Sequence, residues 1–247
     1  RLNNFEAGSF SETTTASFSA DFYLGSEDTS STETSTGEAT DNDLDDSIMA
    51  GYSFQIDLNT SFTGEDSLDI SLDAGNAGAA GIAEFDGNGG GDALTVDGVA
   101  YTFPVGGATV FVGDNTDGSA LFTTACVYGG PSNTLDDCGN VNAGITNGGT
   151  AFGASYDFGN GFSTAVGYAG AGTAGEGLMT KETLDAFGAN VAYSADQYGV
   201  SVTYGAIETG ANGVTESTYT ALNGYYSFDN GLNISAGYEV GDIGANA

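Results

Sequence analysis

The sequence predicts an all-β chain, folded as an antiparallel β-barrel whose strands cross a membrane. Three observations lead there. Helix formers such as Lys, Arg and Met are nearly absent, and apolar residues alternate with small polar ones along about eleven short segments. One hairpin pattern also recurs three times, with copies beginning near Phe152, Phe187 and Tyr219.

The copies read FGASYDFGNGFSTAVGYAG, FGANVAYSADQYGVSVTYGA and YTALNGYYSFDNGLNISAGYEV. In the first, Phe152, Ala154, Tyr156 and Phe158 alternate with Gly153, Ser155 and Asp157. After a turn, Phe162, Thr164, Val166 and Tyr168 alternate with Ser163, Ala165 and Gly167. The second sets Val191, Tyr193, Tyr198, Val200, Val202 and Tyr204 against Asn190, Ser194, Ser201 and Thr203. The third sets Leu222, Tyr226, Phe228, Leu232, Ile234 and Tyr238 against Asn223, Ser227, Asn233, Ser235 and Glu239. One face of each hairpin is greasy and the other is small and polar, with aromatics beside the short turns, where a lipid interface selects them. The connections from Gly170 to Thr183 and from Glu208 to Ser217 are longer, so short turns at one end oppose long loops at the other.

The earlier segments obey the same rule. Phe18, Ala20, Phe22 and Leu24 alternate with Ser17, Ser19, Asp21 and Tyr23, and an acidic Ser/Thr-rich loop runs from Gly25 to about Asp46. Tyr52, Phe54, Ile56 and Leu58 then oppose Ser53, Gln55, Asp57 and Asn59. Leu68, Ile70 and Leu72 oppose Asp69, Ser71 and Asp73, after a turn at Thr63-Gly64-Glu65-Asp66. Strands follow at Thr95 to Phe103 and Ala108 to Val112. Single-chain bacterial barrels close with an even number of strands, so eleven requires either strands hidden between Leu121 and Thr150 or a chain incomplete at its C-terminus.

A soluble sandwich alternates too, but its water-exposed face usually carries Lys and Glu. Here that face is Gly, Ala, Ser and Asn, which suits an enclosed wet lumen. The mean hydropathy of −0.09 is too polar for helical spans, and no apolar run approaches the roughly 18 residues a spanning helix needs. A spanning strand needs only about 9 to 11 alternating residues, so low average hydropathy is expected of a barrel.

With 34 acidic and 2 basic residues, Arg1 and Lys181, the formal charge is −32. Nothing could neutralise phosphates, which excludes nucleic-acid binding. The field attracts cations and repels anions, and equally keeps an extracellular protein solvated. Catalysis is not expected: the chain has no His, no nucleophile motif and no carboxylate pair set apart from the rest. Asp21, Asp57, Asp69, Asp73, Asp157 and Glu239 fall on the polar face, where fixed carboxylates lining a pore would favour cations; as strand-end residues they would act only as solubilisers.

Cys126 and Cys138 enclose a short loop. In an oxidising compartment they could pair, which would stabilise by about 2 to 4 kcal/mol; otherwise they are two free thiols. No cofactor is expected. Two oxygen-rich stretches could hold cations loosely: the loop carboxylates Asp41, Asp43, Asp45 and Asp46 for Ca2+ or Mg2+, and Gly87 to Leu94 with Asp92, a single imperfect copy of a calcium-binding nonapeptide, for Ca2+. Each reads more simply as a solvated loop.

At Leu58 to Asn76, LNTSFTGEDSLDISLDAGN, the chain resembles cyanobacterial outer-membrane porins, the S-layer-homology-bearing, OprB-like family also described as iron-uptake porins. Val96 to Gly113 is similar to that family's next hairpin, and Phe5 to Asp21 to the junction where its barrel begins. The resemblance implies a porin-type barrel over residues 1–247, with short periplasmic turns and long extracellular loops. It implies a homotrimer in the outer-membrane bilayer that passes ions and small solutes, and an N-terminal periplasmic peptidoglycan-binding domain that these residues do not include. The segment after Gly64 departs from the family, with Asp69 and Asp73 where Arg or Lys often stands, and this points towards cations. The alternative from another class is an acidic extracellular structural or adhesive β-protein, a filament or surface-layer subunit, which would not need detergent.

Overall fold

The structure is a computed structural model that describes residues 13–26, 30–32, 39–41, 48–77, 87–88, 91–128, 138–146, 149–172, 174–175, 177–180, 184–209 and 215–244. All its regular structure is β. The strands are β1 (Thr14–Gly25), β2 (Ser30–Thr32), β3 (Ala39–Asp41), β4 (Met49–Thr60), β5 (Ser67–Gly75), β6 (Thr95–Val105) and β7 (Ala108–Asp114), then β8 (Thr150–Asp157), β9 (Phe162–Gly170), β10 (Asp185–Ser194), β11 (Tyr198–Thr209), β12 (Thr215–Ser227) and β13 (Asn233–Asp242). No helix occurs among the described residues.

Eleven of these strands form one sheet in the order β1-β4-β5-β6-β7-β8-β9-β10-β11-β12-β13, every neighbour antiparallel. This all-β meander is consistent with a porin-type β-barrel, and its eleven strands are the segments that alternation predicts. The acidic loop after Gly25 adds what alternation does not reveal, a separate short hairpin of β2 and β3.

Because side chains point to opposite faces with period two, the register sorts the sheet into two surfaces. Leu58, Leu68 and Tyr101 share one face with Val112, Phe152 and Tyr168, while Asn190, Thr203, Ala221 and Glu239 share the other. The greasy face is the outer one. Tyr156, Val200 and Ile234 are 45%, 48% and 54% exposed, against 1% for Asn190 and Ser201 on the polar face. A water-soluble sheet protein buries the opposite side.

The two ends of the sheet differ as well. Turns at residues 61–66, 106–107, 158–161, 195–197 and 228–232 all lie at one end. Gly231, with φ at +86, and the Phe228 to Leu232 backbone bond close the last of them. Aromatic rings cluster along this rim: Tyr101 beside Phe103, Tyr156 beside Phe158, Phe162 beside Tyr193 and Tyr226 beside Phe228, with centroids 4.7 to 5.3 Å apart. Such a girdle places amphipathic rings at the boundary between hydrocarbon and water.

Candidate functional site

The long connection from β7 to β8, residues 115–149, is where one of the two sequence readings puts further strands, between Leu121 and Thr150. Its described residues contain none and instead form a strap laid across the polar face of β9 to β13. The correction has a physical reason. A segment whose backbone groups bond to side chains needs no ladder and no alternation, so it can carry Gly, Thr and Asn in any order.

The strap is seated by polar side chains from successive strands. Asn190 on β10 imitates a strand: its Oδ1 accepts from Thr123 N at 3.0 Å and its Nδ2 donates to Thr123 O at 3.1 Å, and to Thr203 Oγ1 at 2.9 Å. One step along, Ser201 accepts from Ala125 N at 2.9 Å, and on β13 Ser235 accepts from Val127 N at 3.0 Å. On the return leg Asn223 donates to Cys138 O at 2.6 Å. Glu239 accepts from Asn142 N and Ala143 N with one oxygen, at 3.0 and 2.8 Å, and from Asn142 Nδ2 with the other, at 2.8 Å. Most of these bonds satisfy groups that the strap partly or fully removes from water.

Close approach needs a flat floor. Gly153, Gly167, Gly188 and Gly205 stand in register on β8 to β11. A Cβ at Gly167 would collide with Gly118 O of the strap, and one at Gly188 would meet Phe122 and Ile145 at 2.9 to 3.0 Å. Ile145 is fully buried there, and at the strap's root Phe111, Ala151, Ala169 and Leu121 form a small apolar core. Cys126 and Cys138 are disulfide-bonded, with Cα atoms 6.3 Å apart, and tie the outgoing and returning legs together.

The polar face of β1 to β6 is covered locally at Ser53, whose hydroxyl accepts from Asn88 N at 2.8 Å, and elsewhere it carries charge. Asp21, Asp57, Asp69 and Asp73 lie on it, and Asp97 sits at the bulge where β6 slips against Ser71 and Leu72. Asn115 spans that bulge by donating to the carbonyls of Val96 and Asp97 at 3.1 and 2.6 Å. Hydroxyls and amides orient the carboxylates. Asp57 accepts from Gln55 and Ser71 at 2.8 Å, Asp69 from Asn59 and Ser67, and Asp73 from Thr95 at 2.8 Å. Asp69, Ser71, Asp97 and Asn115 border an open recess of about 330 Å³.

The six predicted carboxylates therefore share one face but not one environment. Asp157 lies at the turn end of β8 and accepts from Gly159 N at 2.7 Å, and Glu239 is engaged by the strap. Of the acidic stretches considered for Ca2+, Asp41 lies in β3, Asp43, Asp45 and Asp46 fall outside the described residues, and Asp92 accepts from the Tyr52 hydroxyl at 2.8 Å. Among the described residues no group of three or more Asp, Glu, His and Cys is arranged to hold a metal ion.

The turn joining β4 to β5 is organised by Asp66. Tyr101 donates to its Oδ2 at 2.6 Å, while Ser61 Oγ, Phe62 N, Thr63 N and Thr63 Oγ1 donate to its Oδ1 at 2.7 to 3.0 Å. The Tyr101 hydroxyl above all, with the Thr63 and Ser61 donors behind it, holds this carboxyl well below the ordinary carboxylate range, against the opposing effect of desolvation.

No protein-family model matches the chain, and no curated protein matches it. Among solved structures the chain is similar to a triple mutant of the porin of Rh. blastica, at 11% identity over 81% of this chain and 67% of that chain, with a TM-score of 0.45.

Proposed function

We propose that this chain forms the wall of a passive outer-membrane channel of porin type, one that favours cations and passes inorganic ions and small solutes. The observation that carries the reading is the inverted sheet. Large apolar side chains stand exposed on the outer face of β1, β6, β7 and β8 to β13 and half-exposed on that of β4 and β5, while the polar face is partly filled by a strap that polar side chains hold. Hydrocarbon against the first face and enclosed water against the second satisfies both surfaces, whereas bulk water around the whole sheet satisfies neither.

Cation preference follows from which charges are left beside the open part of the polar face. Asp21, Asp57, Asp69, Asp73 and Asp157 project there, the formal charge of the chain is −32, and Arg1 and Lys181 are its only basic residues. Carboxylates along a pore raise the local cation concentration and repel anions. The kinship with cyanobacterial S-layer-homology-bearing porins, the homotrimer and an attachment to peptidoglycan through an N-terminal domain remain part of the same proposal, resting on the three resembling segments.

Reconstitution in planar bilayers under a KCl gradient tests the reading. A steady ohmic conductance with a reversal potential displaced towards that of K+ is expected; no conductance, or displacement towards Cl−, counts against it. Purification without detergent separates it from the alternative of an acidic matrix protein: a channel aggregates outside micelles and a matrix protein stays dispersed.

A further inference from the structure

Tyr168 on β9 stands on the outer face between Phe152 and Phe187, with ring centroids 4.7 and 5.0 Å away, yet it is 2% exposed where Phe187 is 44% exposed. Its cover is the described part of the β9 to β10 connection. Met179 N donates to the Tyr168 hydroxyl at 3.1 Å, and that hydroxyl donates to the buried carboxylate of Asp185. A Cβ added to Gly172 would lie 3.1 Å from Leu178 Cδ2 and 2.7 Å from Thr150 Oγ1, so the connection also rests against the outer side of β8. The strap crosses the inside of the wall; this second long connection turns back over the outside.

The register fixes the level at which it does so. Val112, Phe152, Tyr168 and Phe187 form one cross-strand row of the outer face. The next row, two residues or about 7 Å nearer the long loops, holds Asp114, Thr150, Gly170, Asp185, Glu208 and Glu216. Carboxylates on a lipid-facing wall are tolerated only near its boundary, so hydrocarbon ends between the two rows. Met179, tied to the Tyr168 hydroxyl, is held at that boundary. It is 56% exposed and Leu178 is 37% exposed. Met179 also has a φ of +58°, in the left-handed region that is costly for any residue with a side chain. In water a glycine would serve that backbone better, as Gly177 does with φ at +78°; a methionine kept there gains only if its side chain meets something apolar. From this placement, and resting on the channel reading, we propose that the β9 to β10 connection is a surface latch that seats Leu178 and Met179 among the lipids at the headgroup boundary on the long-loop side. Continuity selects lipid as the occupant, because the row directly beneath belongs to the wall that faces hydrocarbon. An unbranched methionine suits a fluid surface, since it adapts to whatever it meets.

The chain has no Trp, so a single introduced Trp reports alone. Leu178→Trp and Met179→Trp, each reconstituted in phosphatidylcholine vesicles, should show blue-shifted emission. Lipids brominated on the acyl carbons nearest the headgroup should quench it several-fold, and lipids brominated near the chain end should quench it less. Val202→Trp, on the outer face in the middle of β11, should show the reverse order, and Val141→Trp on the strap should respond to neither lipid. The two latch sites are independent, so one serves where the other substitution prevents insertion. Emission from them that aqueous iodide quenches and neither lipid does places the side chains in water and overturns the inference. Blue-shifted emission that neither lipid nor iodide reaches overturns it as well, since a second copy or the protein itself then covers them. An unquenched Val202→Trp speaks against the channel reading itself, so the two failures are distinguishable.

Discussion

The two halves of the sheet share one alternation and use it differently. On β9 to β12 the middle of the polar face is mainly Gly, Ala, Ser, Thr and Asn, and it is buried: Ala165, Ala192, Asn190, Thr203 and Asn223 are at most 3% exposed beneath or beside the strap. On β1 to β6 the corresponding positions are Asp21, Asp57, Asp69 and Asp73, held apart by hydroxyls and amides. A neutral side chain with one donor and one acceptor can seat a protein backbone without leaving a charge unpaired. A carboxylate cannot be covered in that way unless several donors converge on it, and of the six predicted carboxylates only Glu239 receives three from the strap. Small neutral residues mark the half that holds structure, and acidic residues the half that is left to water and ions.

The largest effect should come from removing what distinguishes the neutral half. Replacing residues 118–146 by a short Gly-Ser linker, which also removes both cysteines, should leave the strands paired and raise single-channel conductance several-fold, since the strap occupies part of the enclosed cross-section. An unchanged conductance would mean that the strap lies outside the permeation path. On the other side, the triple substitution Asp57→Asn, Asp69→Asn and Asp73→Asn should lower the cation-to-anion permeability ratio several-fold at low salt and less at 1 M, where the Debye length is about 3 Å. Glu239→Gln should move that ratio less, because it removes one carboxylate, turned to the strap and bound by its neutral donors, against three that face open water, and equal effects from the two variants would erase the contrast between the halves.

A smaller effect, in stability, is expected at Asn190. Asn190→Ala leaves Thr123 N and O without partners in a buried setting, at a cost of about 1 to 3 kcal/mol for each group that stays unsatisfied. Thermal unfolding in micelles and proteolysis between Gly118 and Tyr128 should both report it. A variant as stable and as protease-resistant as the parent would show that the strap is held elsewhere.

How much of this could be read in the sequence follows from which feature repeats. The strands are legible because alternation with period two is a property of neighbours in sequence, and the register carries it from Phe18 to Tyr238 with one slip, at the β5–β6 bulge. The carboxylates were placed on the polar face by the same rule. The strap was not legible, since its order is written in side chains far away along the chain: Thr123 meets Asn190, Val127 meets Ser235 and Asn142 meets Glu239. A trace of it did exist. Gly153 and Gly188 recur at the second position of the first two hairpin copies, with Gly167 and Gly205 on the returning strands, and Asn190 and Asn223 sit mid-strand, where a lumen filled with water asks for no particular residue. Read as a row, glycines in register announce that a second backbone lies against them. Asp97 was missed for a different reason: the slip at Ser71 and Leu72 is a property of the pairing and leaves no signal in β6 itself.

The smallest expected effect sharpens the comparison at the turns. In the acidic half the β4 to β5 turn hangs on a charged group, Asp66, which receives five donors. In the neutral half the β12 to β13 turn is closed by backbone bonds from Phe228 N to Leu232 O and from Gly231 N to Phe228 O, and by Asn230 Oδ1, which accepts from Leu232 N at 3.1 Å. Folding lowers the pKa of the Asp66 carboxyl, so the unfolded chain binds its proton more readily than the folded one. The stabilisation it gives is therefore complete above about pH 4, the unfolded value, and is lost progressively as the pH falls below that towards the folded one. Acidification from pH 6 to pH 2 should speed amide exchange at Phe62 and Thr63 beyond the change in intrinsic rate, and leave the turn at Phe228 to Leu232 unaffected. Asp66→Asn should begin with faster exchange at Phe62 and Thr63 and respond little to the same change, since an amide offers Tyr101 no second acceptor oxygen and carries no charge to neutralise. If both turns loosen together, the acid response belongs to the sheet as a whole, and the two halves do not differ in what holds their ends.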